Sequence, residues 1–261
     1  MNVKDWVVII TGGGTGVGAA AAKMLARDGA HLTINYSRSR DDAEATAAEC
    51  AALGAQTLVC QGDVSDDDDC KRMVAETMAK WGRVDGLLNN AGTTHFVADN
   101  DLNSLNADDF LRIYSVNVVG AYQMARAVAP PMKAQGRGSI VNTSSIAGVM
   151  GIGSSIAYAA SKGAMNTMTL SLARLLAPEI RVNALAPGFI TGRWWLEKLG
   201  QEGYDKMVAG VERSTPLAHA GTPEDMAEAA LFLLAGSLNI TGEVLLSDAG
   251  QHLSGAPLIA R

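Results

Sequence analysis

The sequence predicts an α/β domain in which seven parallel strands form one sheet with helices on both faces. Short, continuous apolar segments recur along the chain, the first at residues 6–11, and such strands are typical of parallel sheets buried on both faces. Alanine-rich helical segments alternate with them. Because no linker, charge block or internal repeat divides the sequence, we expect a single domain over residues 1–261.

Composition and charge narrow the class of function. Hydrophobic residues make up 48% of the chain and charged residues 18%, which is typical of a compact domain with a large core. A formal net charge of −6 argues against nucleic acid or an anionic membrane as the main partner. Cys50, Cys60 and Cys70 form no CxxC pair, so we expect neither disulfides nor a metal site. With no signal-peptide pattern and no stretch long enough to span a membrane, a cytoplasmic protein is expected.

The first strand leads directly into a glycine-rich loop. Residues 11–18 read TGGGTGVG, and a helix is predicted from Ala19 to about Asp28. At a helix N-terminus that follows a strand, backbone N–H groups and the helix dipole can hold a pyrophosphate. An ordinary tight turn is the alternative, but the strand–loop–helix context favours a dinucleotide site. The candidate contacts in this loop are Gly12, Thr15, Gly16, Val17 and Gly18.

The second strand, His31–Tyr36, ends in a loop that bears on the choice of cofactor. An acidic residue there would bind the ribose 2′-hydroxyl of NAD and repel a 2′-phosphate. This chain instead has Ser37, Arg38 and Ser39, with no carboxylate before Asp41. A guanidinium fork and hydroxyl groups suit a phosphate, so Tyr36 and the three residues after it favour NADP(H) over NAD(H). A solvated basic loop is the alternative.

The third and fourth strands, predicted at Thr57–Gln61 and residues 84–88, also end in candidate cofactor contacts. A carboxylate after the third strand could recognise an adenine amino group, and small and amide residues after the fourth suit a ribose. These candidates are Asp63, Val64, Asn90, Ala91 and Gly92. Between the strands, Ser65 and Asp68 form a capping-box pattern, so we expect the nearby acidic residues to cap a helix rather than bind a metal.

A long helix is predicted over residues 106–132, ended by Pro130 and Pro131. Asn117 lies within its apolar part. A buried asparagine lowers stability unless its amide has hydrogen-bond partners, so Asn117 is both a candidate site residue and a possible structural link.

The residues that carry the chemistry lie between the fifth strand and the helix that follows it. Ser145 comes just after the strand at residues 139–143, and Tyr158 and Lys162 are four residues apart on a predicted helix. That spacing puts both side chains on one helix face. A Tyr–Lys pair by itself is most often a surface pair. Its conjunction with Ser145, Asn117 and the glycine loop favours a catalytic site.

The last third of the chain is predicted to hold two strands and a lid. The sixth strand, at residues 181–186, is followed by four candidate cofactor contacts: Pro187, Gly188, Ile190 and Thr191. Residues 190–220 mix aromatic and charged side chains and are interpreted as a helical substrate lid, although their tryptophans fit an oligomer contact equally well. A helix over residues 223–234 and a seventh strand within 240–248 complete the domain.

An apolar substrate pocket is expected next to Ser145. The residues predicted to line it are His95, Phe96, Met150, Ile152, Trp194 and Trp195. They suggest an apolar or aromatic carbonyl compound, but the same residue types are also used to pack a buried lid.

Taken together, the motifs resemble the short-chain dehydrogenase/reductase family, over nearly the full length and in the family's order. The matches are Thr11-Gly12-x3-Gly16-x-Gly18, Asn90-Ala91-Gly92, Asn117, Ser145, Tyr158-x3-Lys162 and Pro187-Gly188. The chain is most similar to the 3-oxoacyl-[acyl-carrier-protein] reductase type. The resemblance implies a Rossmann-type, doubly wound sheet and hydride transfer between a nicotinamide and a small-molecule ketone or secondary alcohol. It also implies a homotetramer, with a homodimer as the alternative.

The resemblance also implies roles for Asn117, Ser145, Tyr158 and Lys162 as the catalytic set. Tyr158 would supply a proton, with its pKa lowered by the Lys162 ammonium together with the positive charge of the oxidised nicotinamide, and Lys162 would also hold the nicotinamide ribose. Ser145 would donate to the substrate oxygen, Asn117 would hold a water that links Lys162 to solvent, and Thr191 would contact the cofactor. The alternative is a non-catalytic NADP(H)-binding sensor.

The chain departs from the family pattern at two positions. Thr15 stands where many NADP-using relatives carry a basic residue, so the preference for NADP depends on Arg38 and its neighbours. Ala249 stands where relatives often have glycine.

Overall fold

The computed structural model describes residues 2–97 and 101–253, and its strands form one parallel seven-stranded sheet. The strands are β1 (Val7–Ile10), β2 (His31–Tyr36), β3 (Thr57–Gln61), β4 (Gly86–Asn89), β5 (Gly138–Thr143), β6 (Ile180–Pro187) and β7 (Val244–Ser247). Their order is β3-β2-β1-β4-β5-β6-β7. The predicted doubly wound sheet is therefore confirmed. Because the order reverses between β1 and β4, a crevice opens outside the carboxyl ends of these two strands.

Helices cover both faces of the sheet. They are α1 (Gly16–Arg27), α2 (Arg40–Ala52), α3 (Asp67–Trp81), α4 (Ala107–Tyr114), α5 (Ala121–Ala134), α6 (Ala147–Met150), α7 (Ile156–Leu176), α8 (Arg193–Ser214) and α9 (Pro223–Leu231). Within the part of the chain that the structure describes, none of them combines the length and the apolarity needed to cross a bilayer.

Two apolar cores, one on each face, follow from the alternation of side chains along each strand. Val8 and Ile10 of β1 pack in the core that α1, α2 and α9 cover. Ile9, between them, packs in the other core, which includes residues of α3, α5 and α7. Since both faces of a strand are buried, its sequence is continuously apolar, which explains why the strands could be located from the sequence.

The long helix differs from the prediction in two ways. A π-helical segment, Ser115–Gly120, joins α4 to α5 and contains Asn117. Pro130 and Pro131 do not end the helix, which continues to Ala134. A proline lacks the N–H group but keeps its carbonyl, and Pro131 O accepts a hydrogen bond from Gln135 N, so the last turn persists.

The N-terminus of α3 is capped by Asp66 rather than by Ser65. The Asp66 carboxylate accepts hydrogen bonds from the backbone N–H groups of Asp68 (2.8 Å) and Asp69 (3.2 Å). The Ser65 hydroxyl instead donates to Asp63 Oδ1 at 2.7 Å. The predicted cap was therefore one residue too early, because serine and aspartate are equally good N-caps and the sequence does not choose between them.

Ala249 adopts a backbone conformation that favours glycine. Its φ is 54°, in the left-handed region, where a Cβ atom crowds the following carbonyl. The turn is held in place by Asp248, whose Oδ1 accepts the Gly250 N–H (3.0 Å) and whose Oδ2 accepts the His252 N–H (2.8 Å). The departure from the family pattern at this position therefore introduces local strain.

We predict that Ala249→Gly raises the free energy of unfolding by about 0.5–1 kcal/mol, because glycine adopts this conformation without the steric penalty. Urea denaturation measures the change. Ala48→Gly, at an exposed position inside α2, is the matched control and should lower the free energy of unfolding by about 1 kcal/mol. A loss of stability in Ala249→Gly would contradict the interpretation of strain.

Candidate active site

A cleft of about 390 Å³ opens at the carboxyl ends of β1 to β4. Ten of the predicted cofactor contacts line it: Gly12, Thr15, Tyr36, Ser37, Arg38, Ser39, Asp63, Val64, Ala91 and Gly92. The lining also includes residues that the sequence analysis did not select: Gly14, Asn35, Gly62, Ser65, Thr93, Arg112, Ser115 and Val116. Most of the additional residues neighbour a selected one in sequence, whereas Arg112, Ser115 and Val116 come from the long helix.

The glycine loop leaves backbone donors available at the N-terminus of α1. Thr15 occupies the N-cap position, but its side chain makes no capping hydrogen bond. At Gly16 the φ is 53°, and a Cβ atom added there would meet nothing within 4 Å. At Gly18, by contrast, a Cβ atom would lie 2.5 Å from Gly12 O, so only glycine lets the helix approach the loop. Uncapped N–H groups and the positive end of the helix dipole fit a pyrophosphate.

Two asparagines hold this loop in position. Asn35 Oδ1 accepts the Gly12 N–H (3.2 Å), and its Nδ2 donates to Gly62 O (2.9 Å), so the loop is tied to the end of β3. Asn90 Nδ2 donates to Thr11 O (3.1 Å) and Gly12 O (3.0 Å), which ties the same loop to β4. The sequence analysis did not select Asn35. Its signal was a polar residue within an otherwise apolar strand.

The mouth of the cleft contains an arginine without a partner. No hydrogen bond or ion pair joins the Arg38 side chain to any residue in 2–97 or 101–253. Nearby, Arg40 Nε pairs with Glu44 (2.7 Å). The Asp63 carboxylate is also engaged, since its Oδ1 accepts hydrogen bonds from Ser65 N (2.9 Å) and Ser65 Oγ (2.7 Å). The Arg38 guanidinium is therefore free to bind an anion at this end of the cleft.

The remaining predicted cofactor contacts do not line this cleft. Val17 and Gly18 lie inside α1, and the four candidates at and after the end of β6 lie beyond β5. Pro187 O accepts hydrogen bonds from Ile146 N (2.9 Å) and Ser145 Oγ (3.5 Å). Gly188 N donates to Ser247 O. Ile190 and Gly221 form an isolated β-bridge, and the following residue, Thr191, donates its N–H to Gly221 O. This segment therefore borders Ser145.

Ser145, Tyr158 and Lys162 meet where β5 ends. Ser155 caps α7 by accepting the Tyr158 N–H (3.2 Å), which fixes the first turn of the helix. Helix α6 packs so closely on α7 that a Cβ atom at Gly148 would clash with the backbone of Lys162. This approach brings Ser145, just before α6, next to Tyr158, close enough for its hydroxyl to lower the pKa of the phenol.

Burial dominates the electrostatics of this cluster. It raises the pKa of Tyr158 above its ordinary value of 10, an effect that the neighbouring Ser145 hydroxyl partly opposes. The Lys162 Nζ lies 5.5 Å from the centre of the Tyr158 ring and donates to Thr143 O at 2.6 Å. Lys162 is only 4% exposed, and burial lowers its pKa to about 8. Without a cofactor the pKa of Tyr158 is therefore raised, because desolvation of the phenol is the largest effect on it.

Asn117 is fully buried and links two parts of the site. Its Nδ2 donates to Thr93 O and Ser161 Oγ, both at 3.0 Å, and its Oδ1 accepts the Thr93 N–H at 2.8 Å. The amide thus ties the loop after β4 to α7. One lone pair of Oδ1 remains. A Cβ atom at Gly92 would lie 3.5 Å from this oxygen and 3.9 Å from Lys162 Nζ, so both atoms border the same space.

Three of the predicted pocket residues form an aromatic cluster. Phe96 makes edge contacts with Trp195 (centroids 5.3 Å apart) and Trp194 (6.4 Å). Phe189, which the sequence analysis did not select, stacks on Trp195 at 5.6 Å, and Lys198 Nζ lies 4.0 Å from the centre of the Phe96 ring. Phe189 could have been selected from the sequence, because it lies between two predicted cofactor contacts, Gly188 and Ile190.

The other predicted pocket residues are placed differently. Met150 and Ile152 are exposed at and just after the end of α6. His95 Nδ1 is hydrogen-bonded to Asp109 Oδ1 at 2.7 Å, which joins the loop after β4 to the first turn of α4. The structure therefore brings together only the aromatic part of the predicted set.

The lowered pKa of Lys162 makes stability depend on pH. Between pH 8 and 10.5 Lys162 binds more protons in the unfolded chain than in the folded one, so its contribution to the free energy of unfolding of the wild type rises with pH. Lys162→Met removes this dependence. We predict that the variant's free energy of unfolding exceeds that of the wild type at pH 7. Removing the buried ammonium gains up to about 3 kcal/mol, and losing its hydrogen bond to Thr143 O subtracts part of that gain. The excess should shrink by pH 10.

Urea denaturation at both pH values measures this difference. Lys133→Met, at an exposed position of α5, controls for the loss of a surface charge. An excess that stays constant or grows with pH would contradict the burial of a charged Lys162.

Comparisons with known proteins agree with this geometry. Residues 12–252 match a family model described as Enoyl-(Acyl carrier protein) reductase. The chain is 39% identical over 247 residues to a Streptomyces violaceoruber protein named as a ketoacyl reductase of the granaticin polyketide synthase, covering 95% of this chain and 96% of the relative. It is 32% identical to 3-oxoacyl-[acyl-carrier-protein] reductase of Staphylococcus aureus, covering 94% and 97%.

Solved structures are similar over nearly the same extent. One is a short-chain dehydrogenase/reductase from Burkholderia xenovorans, with a TM-score of 0.89, 42% identity, and coverage of 95% of this chain and 98% of that one. Another is an NAD+-bound xylitol dehydrogenase, with a TM-score of 0.87, 30% identity, and coverage of 94% and 98%. The chain therefore belongs to the short-chain dehydrogenase/reductase family, whose members bind a nicotinamide cofactor and act on carbonyl and alcohol groups.

Proposed function

We propose that the protein is an NADP(H)-dependent oxidoreductase that interconverts a ketone and a secondary alcohol. The observation that carries the proposal is the cluster of Ser145, Tyr158 and the buried Lys162, at the edge of a cleft that fits a dinucleotide. The cofactor supplies or accepts the hydride. The chain's own residues bind and orient the reactants and move the proton.

In the reducing direction, Tyr158 is the proposed proton donor. Hydride addition turns the carbonyl oxygen into an alkoxide, and the Tyr158 hydroxyl protonates it. Ser145 donates a hydrogen bond to the same oxygen and positions it. A tyrosine exchanges protons well near pH 7 only if its pKa falls by about three units, which requires about 4 kcal/mol of preferential stabilisation of the phenolate. The Lys162 ammonium contributes to that stabilisation, since it lies on the same helix face in a dry site.

We further propose that Asn117 and Lys162 return the proton. Lys162 Nζ would return a proton to the Tyr158 phenolate and would regain one from a water in the space beside Gly92, whose other hydrogen would be donated to Asn117 Oδ1. With a pKa of about 8, Lys162 can give up and regain a proton near neutral pH. The hydrogen bonds that fix Asn117 would hold that water in place.

The preference for NADP(H) is supported by Arg38. Its unpaired guanidinium lines the cleft with Ser37 and Ser39, and no acidic residue follows β2 until Asp41. The NAD+-bound xylitol dehydrogenase shows that a relative of similar fold binds the other cofactor. The preference of this chain therefore depends on its own residues at this loop.

The substrate class is proposed from the aromatic cluster and from the relatives. Phe96, Phe189, Trp194 and Trp195 suit an apolar or aromatic carbonyl compound, and two relatives are named as ketoacyl reductases. We propose that residues 190–220 form a lid over this substrate within one domain. Helix α8 is interrupted at Gly200, and Arg193 Nη2 pairs with Asp42 Oδ2 (2.9 Å) across to α2. Residues 254–261 lie outside the described residues.

The assembly and location stay predictions. Exposed apolar residues of the long helix, Leu111, Val119 and Tyr122, support a homotetramer or a homodimer. The cytoplasm remains the expected compartment, and a small molecule the expected partner.

We predict that Tyr158→Phe lowers kcat by about 10²–10⁴-fold while the dissociation constant for NADPH changes little, because only the proton donor is lost. NADPH oxidation with a panel of ketones, 3-oxoacyl thioesters and enoyl thioesters measures turnover, and fluorescence titration measures binding. Tyr122→Phe, at an exposed position, is the control. Near-normal turnover in Tyr158→Phe would contradict the assignment. If the wild type binds NADPH tightly but turns over no member of the panel, the sensor alternative is favoured.

A second prediction concerns Arg38. Arg38→Gln should raise the dissociation constant for NADPH by about 10- to 100-fold and leave that for NADH nearly unchanged, because only NADPH carries the 2′-phosphate. Arg40→Gln is the matched control, since Arg40 is already paired with Glu44. Equal weakening of both cofactors, or of neither, would refute the proposed preference.

A further inference from the structure

We propose that Arg112 contacts the pyrophosphate of the bound cofactor and supplies the cation that the glycine loop lacks. The inference rests only on the binding of a nicotinamide dinucleotide, so it is independent of the substrate and of the choice between NAD(H) and NADP(H). Neither the motifs of the sequence nor the relatives' names assign any role to this residue.

Arg112 comes from outside the nucleotide-binding half of the sheet. It lies in the last turn of α4, five residues before Asn117, and its side chain lines the cleft together with Gly14, Thr15 and Val116. The glycine loop and α4 thus approach the same space from different elements. A dinucleotide whose pyrophosphate lies at the N-terminus of α1 would occupy a cleft that Arg112 also lines.

The Arg112 side chain is exposed and has no hydrogen bond or ion pair with any of the described residues. Its charge helps to lower the pKa of Asp109, one turn earlier on α4. That carboxylate is already used by the Asn106 N–H (3.2 Å) and by His95 Nδ1 (2.7 Å). By contrast, Arg126, on the following helix, pairs with Asp67. A guanidinium that lines a cleft without a partner is available to an anion.

The cleft has few cationic side chains with which to bind the negatively charged pyrophosphate. Its lining contains three charged residues, Arg38, Asp63 and Arg112, in a chain with a net charge of −6. The first turn of α1 offers N–H groups but no basic side chain, and Thr15 stands beside Gly16. Arg38 is assigned to the 2′-phosphate at the adenosine end. The pyrophosphate, which carries two charges in either cofactor, would otherwise be held by backbone dipoles alone.

The test compares two cofactors and three variants by titrating the intrinsic tryptophan fluorescence of the enzyme with NADH and with NADPH. For Arg112→Gln we expect the dissociation constants of both to rise by about three- to tenfold, since both contain the pyrophosphate. The rise should be larger at low ionic strength, because salt screens this interaction. Arg112→Lys should recover part of the loss, as it keeps the charge but not the planar fork.

Arg174→Gln is the matched control, because it removes the same charge from an exposed position in the last turn of α7, away from the cleft. It should leave both dissociation constants unchanged. An Arg112→Gln variant that binds both cofactors like the wild type would overturn the proposal, and so would one that weakens NADPH alone, since Arg112 would then contact the 2′-phosphate. Far-ultraviolet circular dichroism and urea denaturation verify that each variant is folded.

Discussion

The desolvation of one ammonium and one phenol is the constraint on which the rest of this site depends. Lys162 is almost completely buried, with Thr143 O as its hydrogen-bond acceptor, and burial alone brings its pKa to about 8. The same burial moves the Tyr158 pKa in the direction opposite to what proton transfer needs. Low dielectric makes each charge costly, but it also makes any added positive charge more effective at stabilising a phenolate. Tyr158 therefore becomes able to transfer a proton only when a positively charged group binds next to it.

The scaffold is built to hold that costly pair in place. Gly148 allows α6 to lie against α7, Ser155 starts α7 in the correct register, and Asn117 ties α7 to the loop after β4. Asn35 and Asn90 secure the glycine loop in a similar way. The three buried or half-buried asparagines form hydrogen bonds with other elements of the fold, so they fix the position of one element relative to the next. The cleft and the reacting groups are thereby kept at adjacent strand ends.

The sequence predicted those features that depend on residues close together in the chain. Strand positions followed from continuous apolar runs, and the Tyr158–Lys162 pairing followed from helical spacing. Arg112 could not be selected, because its importance arises from its place in the cleft. The only local signal for Asn35 was its polarity within an apolar strand, and its hydrogen bond to the glycine loop had to be observed. The two prolines of α5 were misleading, since a helix supported by tertiary packing tolerates them. The direction of the Tyr158 pKa shift could not be predicted from the sequence either. Helical spacing shows that Tyr158 and Lys162 are close together, but the burial that raises the pKa of Tyr158 can be seen only in the structure.

An ultraviolet difference titration of Tyr158, with and without oxidised NADP+, tests the central claim most directly. Subtracting the titration of Tyr158→Phe removes the signal of the other tyrosines. Burial predicts that the phenol titrates above pH 10 in the free enzyme, and that its pKa falls when the positively charged nicotinamide binds beside Lys162. A pKa that is the same in both states, or already low in the free enzyme, would contradict the claim that desolvation governs this site.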